Sequence, residues 1–287
     1  YVASETMDPP FCAEDPATQA QQHRRHQQQS KQPRSIWDTS TVQTIEGGAL
    51  QTWTMDVPQV EHVQLLLKNE GTPLHAKADV WCGPDNAPMQ LAVYSQDGAK
   101  HPFSAVVGTP HFQSHTIGIK NSGPLEHPLG AVVIADMEHL FNRNRHPASS
   151  PSCGSLVHNL IRFGHHFQIH GNGSQKSYPI DSNTEAVQIL IRSQNGRPCQ
   201  ARIELTHGPE NIQQVVELYV ENGHERPFFA VLETPDDTTM IRIVNVGEMT
   251  FPITACVEPF KVSSKTADSR HAANTVNPQD VYSPFFV

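Results

Sequence analysis

Val63-Gln64-Leu65-Leu66-Leu67-Lys68 returns as Val187-Gln188-Ile189-Leu190-Ile191-Arg192. A repeat about 125 residues long settles the architecture before any single motif is weighed. From that pair the register runs on through Gly71 and Pro73 against Gly196 and Pro198, and through Gly83-Pro84-Asp85-Asn86 against Gly208-Pro209-Glu210-Asn211. Tyr94 then matches Tyr219, Gly98 matches Gly223, Pro102-Phe103 matches Pro227-Phe228, and Thr109-Pro110 matches Thr234-Pro235. Asn121, Gly123 and Pro128 close the series against Asn245, Gly247 and Pro252. The unit is too long for one turn of a solenoid and long enough for a small domain.

The repeated residues are turn formers and alternating apolar side chains, which argues strand. Ala76, Ala78 and Val80 alternate with Lys77 and Asp79, and Ala201, Ile203 and Leu205 alternate with Arg202 and Glu204. A period of two turns one face toward a core and the other toward water. Further strands are expected over 50–55, 63–68, 90–94, 104–107, 116–120 and 129–134, with counterparts in the second copy. Pro84 and Pro209 pre-set turns, and Asp97-Gly98 and Asn222-Gly223 are dipeptides that accept positive φ in tight hairpins. About seven short strands per copy at this spacing make an antiparallel β-sandwich. The expected fold is all-β: two tandem sandwiches related by a pseudo-two-fold axis, with extended arms.

The expected division is an N-terminal arm over 1–41, sandwiches over 42–136 and 165–260, a linker over 137–164 and a C-terminal arm over 261–287. The first arm carries the Gln/His-rich tract 21–29, too polar to fold alone. The linker suggests a short helix over 137–144, then a Pro/Ser-rich stretch ending near Gly154. The second arm ends in Val281-Tyr282-Ser283-Pro284-Phe285-Phe286-Val287. Apolar side chains closing a solvated arm need burial, against their own domain or against another copy. Tyr282, Phe285, Phe286 and Val287 are therefore candidate assembly residues, with Ile36 and Trp37 of the first arm as a second latch.

No apolar run in the 287 residues approaches the roughly 18 that suggest a membrane helix. The net charge of −9, without a basic stripe, disfavours nucleic acid. Cys12, Cys82, Cys153, Cys199 and Cys256 occupy unmatched places in the two copies, whereas a disulfide framework would have been duplicated, so a reducing compartment such as cytosol or stroma is expected. The chain starts at Tyr1, and a targeting segment is expected upstream.

Chemistry-bearing patterns are sparse. His165-His166-Phe167-Gln168-Ile169-His170 invites a zinc or cupin-like reading, but it has no partner carboxylate at a metal-binding spacing and reads better as solvated or core histidine. His111 and His115 read as surface loop residues, and His23 and His26 lie in the polar arm. Asp79 with Glu204, and Asp85 with Glu210, fit an exposed strand position and a turn. No catalytic set, phosphate loop or Cys-x-x-Cys knuckle is present, and no cofactor or metal is implied. The competing reading is a duplicated carbohydrate-binding, lectin-like sandwich using Trp37, Trp53 and Trp81 as platforms, with Tyr178 as the second copy's equivalent of Trp53; a duplicated jelly-roll enzyme would require bound metal.

The blocks Val63 to Lys68, Trp81-Cys82-Gly83-Pro84-Asp85-Asn86, Tyr94 with Asp97-Gly98, Pro102-Phe103 and Asn121-Ser122-Gly123-Pro124-Leu125-Glu126, returning in the second half, resemble the pyrenoid-shell proteins of diatoms and related algae. The resemblance spans about residues 42–260. It implies a chloroplast protein without catalytic activity that assembles with itself into a sheet, tube or filament around the Rubisco matrix of the pyrenoid. Its partners would be further copies of itself, with Rubisco or other pyrenoid proteins, in support of CO2 concentration and carbon fixation. Thr206-His207 stands where the first copy has Trp81-Cys82, so the two domains need not make the same contacts.

Overall fold

The computed structural model describes residues 37, 40–55, 60–83, 86–109, 114–136, 153–208, 210–235 and 238–263. The chain divides between Thr41 and Val42 into two units, and every described strand belongs to the second. The first copy contributes β1 (Gln43–Ile45), β2 (Leu50–Met55), β3 (His62–Lys68), β4 (Leu74–Trp81), β5 (Met89–Ser95), β6 (Phe103–Gly108), β7 (His115–Asn121) and β8 (Leu129–Asp136). The second repeats the series as β9 (Phe167–Ile169), β10 (Ser174–Pro179), β11 (Thr184–Ser193), β12 (Cys199–His207), β13 (Asn211–Val220), β14 (Phe228–Glu233), β15 (Met240–Asn245) and β16 (Ile253–Val262). Between them, among the described residues, lies one helix, α1 (Cys153–Phe163).

Strands of one copy alternate between two sheets. β1, β8, β3 and β6 lie in one, and β2, β7, β4 and β5 in the other. That is the jelly-roll arrangement of eight strands, one more than expected from the sequence because β1 and β9 are only three residues long. Each sheet then continues across the copies without a break. β6 pairs with β14 in sheet A, β5 pairs with β13 in sheet B, and both sheets hold eight strands. At the seam Ala105 faces Ala230 and Ala92 faces Glu217, so each residue meets its own counterpart 125 positions along. A pseudo-two-fold axis therefore runs through both sheets at these two pairs.

The repeated residues act at matched places. The Asn121 amide donates to the Ile45 and His127 carbonyls, both at 2.9 Å, and its oxygen accepts from Gly123 N at 2.9 Å. Asn245 makes the same bracket with Ile169 at 3.0 Å, Phe251 at 2.9 Å and Gly247 at 3.0 Å. Thr109 and Thr234 donate from their hydroxyls to the carbonyls of Val60 and Thr184. Gly98 and Gly223 correct the hairpin expectation. Neither is among the glycines with positive φ, and the strands they join, β5 to β6 and β13 to β14, lie in different sheets. They are glycine because a Cβ would come within 2.8 Å of Asn69 N in one copy and 2.7 Å of Ser193 Oγ in the other. Asp97 and Asn222 accept from the backbone N–H groups two and three residues on, Ala99 and Lys100 in one copy and His224 and Glu225 in the other, and so turn the chain. Gly83 and Gly208, by contrast, do take positive φ after β4 and β12; Pro84 and Pro209 lie outside the described residues.

Between the sheets runs one continuous apolar core, including Leu65, Leu67, Leu74, Met89, Phe103, Ile117 and Ile119 with Ile189, Ile191, Ile203, Phe228 and Ile241. A second cluster lies outside sheet A. There α1 turns Val157 and Leu160 onto Val106, Leu190, Phe229 and Cys256, so the helix covers strands of both copies at the seam. Its apolar residues Leu156, Val157, Leu160 and Ile161 fall on one stripe, and Arg162 sits in the last turn, where the helix dipole favours a cation. This helix replaces the end of the loop expected before 164, while the expected helix over 137–144 lies outside the described residues. Among the described residues nothing corresponding to α1 covers the outer face of sheet B.

Candidate functional site

The open face of sheet B is built by the strand alternation that fills the core. β4 turns His75, Lys77, Asp79 and Trp81 outward, and the opposite residues Leu74, Ala76, Ala78 and Val80 are buried. Across the seam, β5 offers Ala92 and Tyr94, β13 offers Glu217 and Tyr219, and β12 offers Gln200, Arg202 and Glu204. Arg202 donates to Glu204 at 2.7 Å and to Glu217 at 3.2 Å, and Arg242 reaches the other Glu204 oxygen at 2.6 Å. Burial alone would raise the Glu204 carboxyl, but hydrogen bonds from the two guanidinium groups outweigh it and hold the group below its usual range. The Asp79 carboxyl shifts the other way: burial raises it, and Lys77 only partly offsets this.

Two shallow depressions flank the axis on this face. The first, of about 330 Å3, is lined by His75, Lys77, Ala92, Tyr94, Ser122 and Val215 among others. The second, of about 730 Å3, is lined by Gln200, Arg202, Glu217, Tyr219, Val246 and Gln90 among others. Residue for residue these are counterparts: His75 and Gln200, Lys77 and Arg202, Ala92 and Glu217, Tyr94 and Tyr219, Ser122 and Val246, Val215 and Gln90. Lys77, Arg202, Ala92 and Glu217 line both. In the first, the His75 ring lies 4.7 Å from that of Tyr94 and narrows the opening. A second duplicated feature sits at the turns after β7 and β15. Leu125 is 73% exposed and its counterpart Met249 is 72% exposed, so an apolar side chain projects into water in both copies.

The histidine cluster serves the helix end. His165 Nδ1 lies 2.8 Å from Glu258 Oε1, which also accepts the His165 backbone N–H at 3.0 Å, and His166 Nε2 lies 3.1 Å from the Ile161 carbonyl. His170 is exposed. No group of three or more His, Cys, Asp or Glu side chains converges on a metal-sized point among the described residues. The expectation that His115 is a surface loop residue is corrected: it begins β7 and is only 2% exposed. Burial pushes the Cys199 thiol up to about 12, and burial together with Glu258 pushes Cys256 to about 11, so neither is a ready nucleophile at neutral pH.

Trp53 and Tyr178 are true counterparts, opposite Ile117 and Ile241 in matching registers, but both pack against the core and neither offers a sugar platform. Trp81 lies on the outer face against Gly118, where a Cβ would come within 2.5 Å of its ring. Tyr282, Phe285, Phe286, Val287 and Ile36 lie outside the described residues, as do His23, His26, His111 and Asp85, while Trp37 is partly buried. Neither the depressions nor the Leu125/Met249 projections are among the sites expected from the sequence. Their signal was a repeated residue at an outward strand position, or a repeated apolar residue at a turn, where neither core nor turn demands one.

Residues 37–259 match the family model described as diatom pyrenoid shell protein. A search of curated proteins finds no match. Among solved structures the chain is similar to YhhW from Escherichia coli, at 11% identity over 72% of this chain and 82% of that one, with a TM-score of 0.21. It is similar to the PBSX exported protein XepA at 10% identity over 76% and 85%, TM-score 0.21, and to oxalate decarboxylase from Bacillus subtilis at 12% over 77% and 74%, TM-score 0.16. Likenesses this distant assign nothing to the chain.

Proposed function

The chain belongs to the diatom pyrenoid shell protein family, and from that membership we propose that it is a structural protein, not an enzyme, which self-assembles into the sheet enclosing the Rubisco matrix of the pyrenoid. At that boundary in the chloroplast stroma it supports CO2 concentration and carbon fixation. Its first partner is another copy of itself; Rubisco or other pyrenoid proteins meet the finished layer. No cofactor is required.

The observation that carries this reading is what duplication has kept on the outside. Tyr94 with Tyr219 on sheet B, and Leu125 with Met249 at matched turns, hold outward positions in both copies of a slab stiffened by a shared core. Similar contact features on the two sides of a pseudo-two-fold slab favour contacts with neighbours that repeat, and such contacts build open arrays when they are heterologous. The aromatic arm Tyr282, Phe285, Phe286 and Val287 acts as a latch between copies, with Ile36-Trp37 as a second. Negative-stain imaging and sedimentation of concentrated protein test the proposal. Sheets or tubes without any added partner are expected; only monomer at high concentration and physiological salt would sink it. Glycan-array binding by non-assembling protein would instead favour the carbohydrate-binding reading.

A further inference from the structure

The two depressions on sheet B began as copies and have diverged in one direction. The His75 ring packs 4.7 Å from that of Tyr94 in the first, of about 330 Å3, whereas Gln200 stands in its place beside Tyr219 in the second. Ser122 borders the first, whereas Val246, an apolar side chain 51% exposed, borders the second. Ala92 is the outward apolar residue of the second's floor, between strand positions Leu91, Ala201 and Leu218 whose side chains belong to the core, and its volume of about 730 Å3 is within the range of ligand-sized sites. Lys77 stands on its margin with Asp79, whose charge it feels without a direct ion-pair contact, while Arg202 is already held by Glu204 and Glu217. The site offers an aromatic wall at Tyr219, an apolar rim at Val246 and a cation, Lys77, held in no direct ion pair.

We infer that the Tyr219 depression is the receptor for the aromatic C-terminal segment of a neighbouring copy, residues 280–287. This rests on the assembly reading above and names its contact. The segment Asp280-Val281-Tyr282-Ser283-Pro284-Phe285-Phe286-Val287 carries three aromatics for Tyr219 and Val246 to cover and one carboxylate for Lys77. Twenty-four residues follow Ser263, and at 3.3–3.6 Å per extended residue they reach about 80 Å, beyond the width of one sandwich. Each chain thus brings one aromatic segment and one open depression. Donor and receptor are different surfaces, so the contact is heterologous and propagates from copy to copy instead of closing as a dimer.

A dye-labelled peptide of residues 276–287 tests the site against a chain ending at Asp280. Fluorescence anisotropy is expected to show one peptide per chain. Binding should weaken by an order of magnitude or more with Val246→Glu, an exposed position whose change leaves the fold intact, and with Tyr219→Ala. Ser122→Glu, the same change at the narrowed depression, should leave it unaltered. The chain ending at Asp280 and the full-length Val246→Glu chain should each fail to build sheets, yet sediment as one-to-one pairs when mixed. Absence of peptide binding, wild-type sheets from the Val246→Glu chain, or no pairs on mixing, as self-docking demands, would each overturn the assignment. Peptide binding thus judges the receptor, and wild-type assembly separately judges the proposed function.

Discussion

Asn121 and Asn245, 1% and 0% exposed, each close two backbone carbonyls with one amide and cap a glycine N–H with the other end. Replacing either by Ala leaves those carbonyls buried without donors, at a cost of about 1–3 kcal/mol. Urea denaturation should read that loss at both sites, and more for Asn→Asp, which turns acceptors toward acceptors. Glu204 gives a pH dependence with a definite sign. Its folded value is lowered, so its stabilisation is present above its ordinary value of 4.5 and is lost as pH falls through the lower folded value. Glu204→Gln should flatten the stability loss over that acid range, read from urea midpoints across a pH series. Asp79 has the opposite sign, because a raised folded value means the ionised form costs stability; Asp79→Asn should hold or gain stability at neutral pH, with the difference vanishing on acidification. Residues that serve the repeat itself were plain in the sequence, because a glycine or asparagine returning at a fixed interval signals a shared backbone need. What the need was did not show. Gly98 reads as a residue for positive φ, yet a close approach to Asn69 is what demands it.

At the scale of elements, α1 joins what its sequence position separates, since Val157 and Leu160 contact Val106 of one copy and Leu190, Phe229 and Cys256 of the other. Leu160→Ala should cost about 2–4 kcal/mol, as expected for a buried leucine. Amide exchange should then accelerate over 153–163 while the core strands β3 and β11 stay protected. Strand positions were legible because alternation writes a half-buried strand directly into sequence: the expected 50–55 is β2 itself, the other first-copy strands differ by a residue or two at their ends, and β11, β13 and β16 of the second copy run three or four residues further. The helix was not, since Pro and Ser before Cys153 mask a stripe of only four apolar residues. Nor was the division of strands between sheets. Alternation reports which face of a strand is buried and is silent on its neighbour, so the seam pairs β5 with β13 and β6 with β14 had no local signal.

For the whole molecule, the Leu125 and Met249 projections lie on opposite sides of the pseudo-two-fold axis, each too exposed to contribute to the core. Leu125→Glu together with Met249→Glu should therefore leave the melting temperature within about 1–2 °C, as surface changes do, while raising the concentration at which light scattering first reports assembly. Unchanged scattering would remove these side chains from the contact. The seam carries a last consequence. Where residues meet their own counterparts, as Ala105 meets Ala230, the geometry is that of two identical chains facing each other across a dyad, here tied together in one chain. A homodimer must present every mutation twice, but a fused one need not. The two ends of the β5–β13 ladder record that freedom. At one end Gln214 hydrogen-bonds to Ser95 at 2.8 Å and to the His101 carbonyl at 3.0 Å, while at the equivalent end Met89 and Val220 pair through apolar contact alone. Covalent linkage let one chain acquire a left and a right, and only a unit with distinguishable ends can be laid down in a direction.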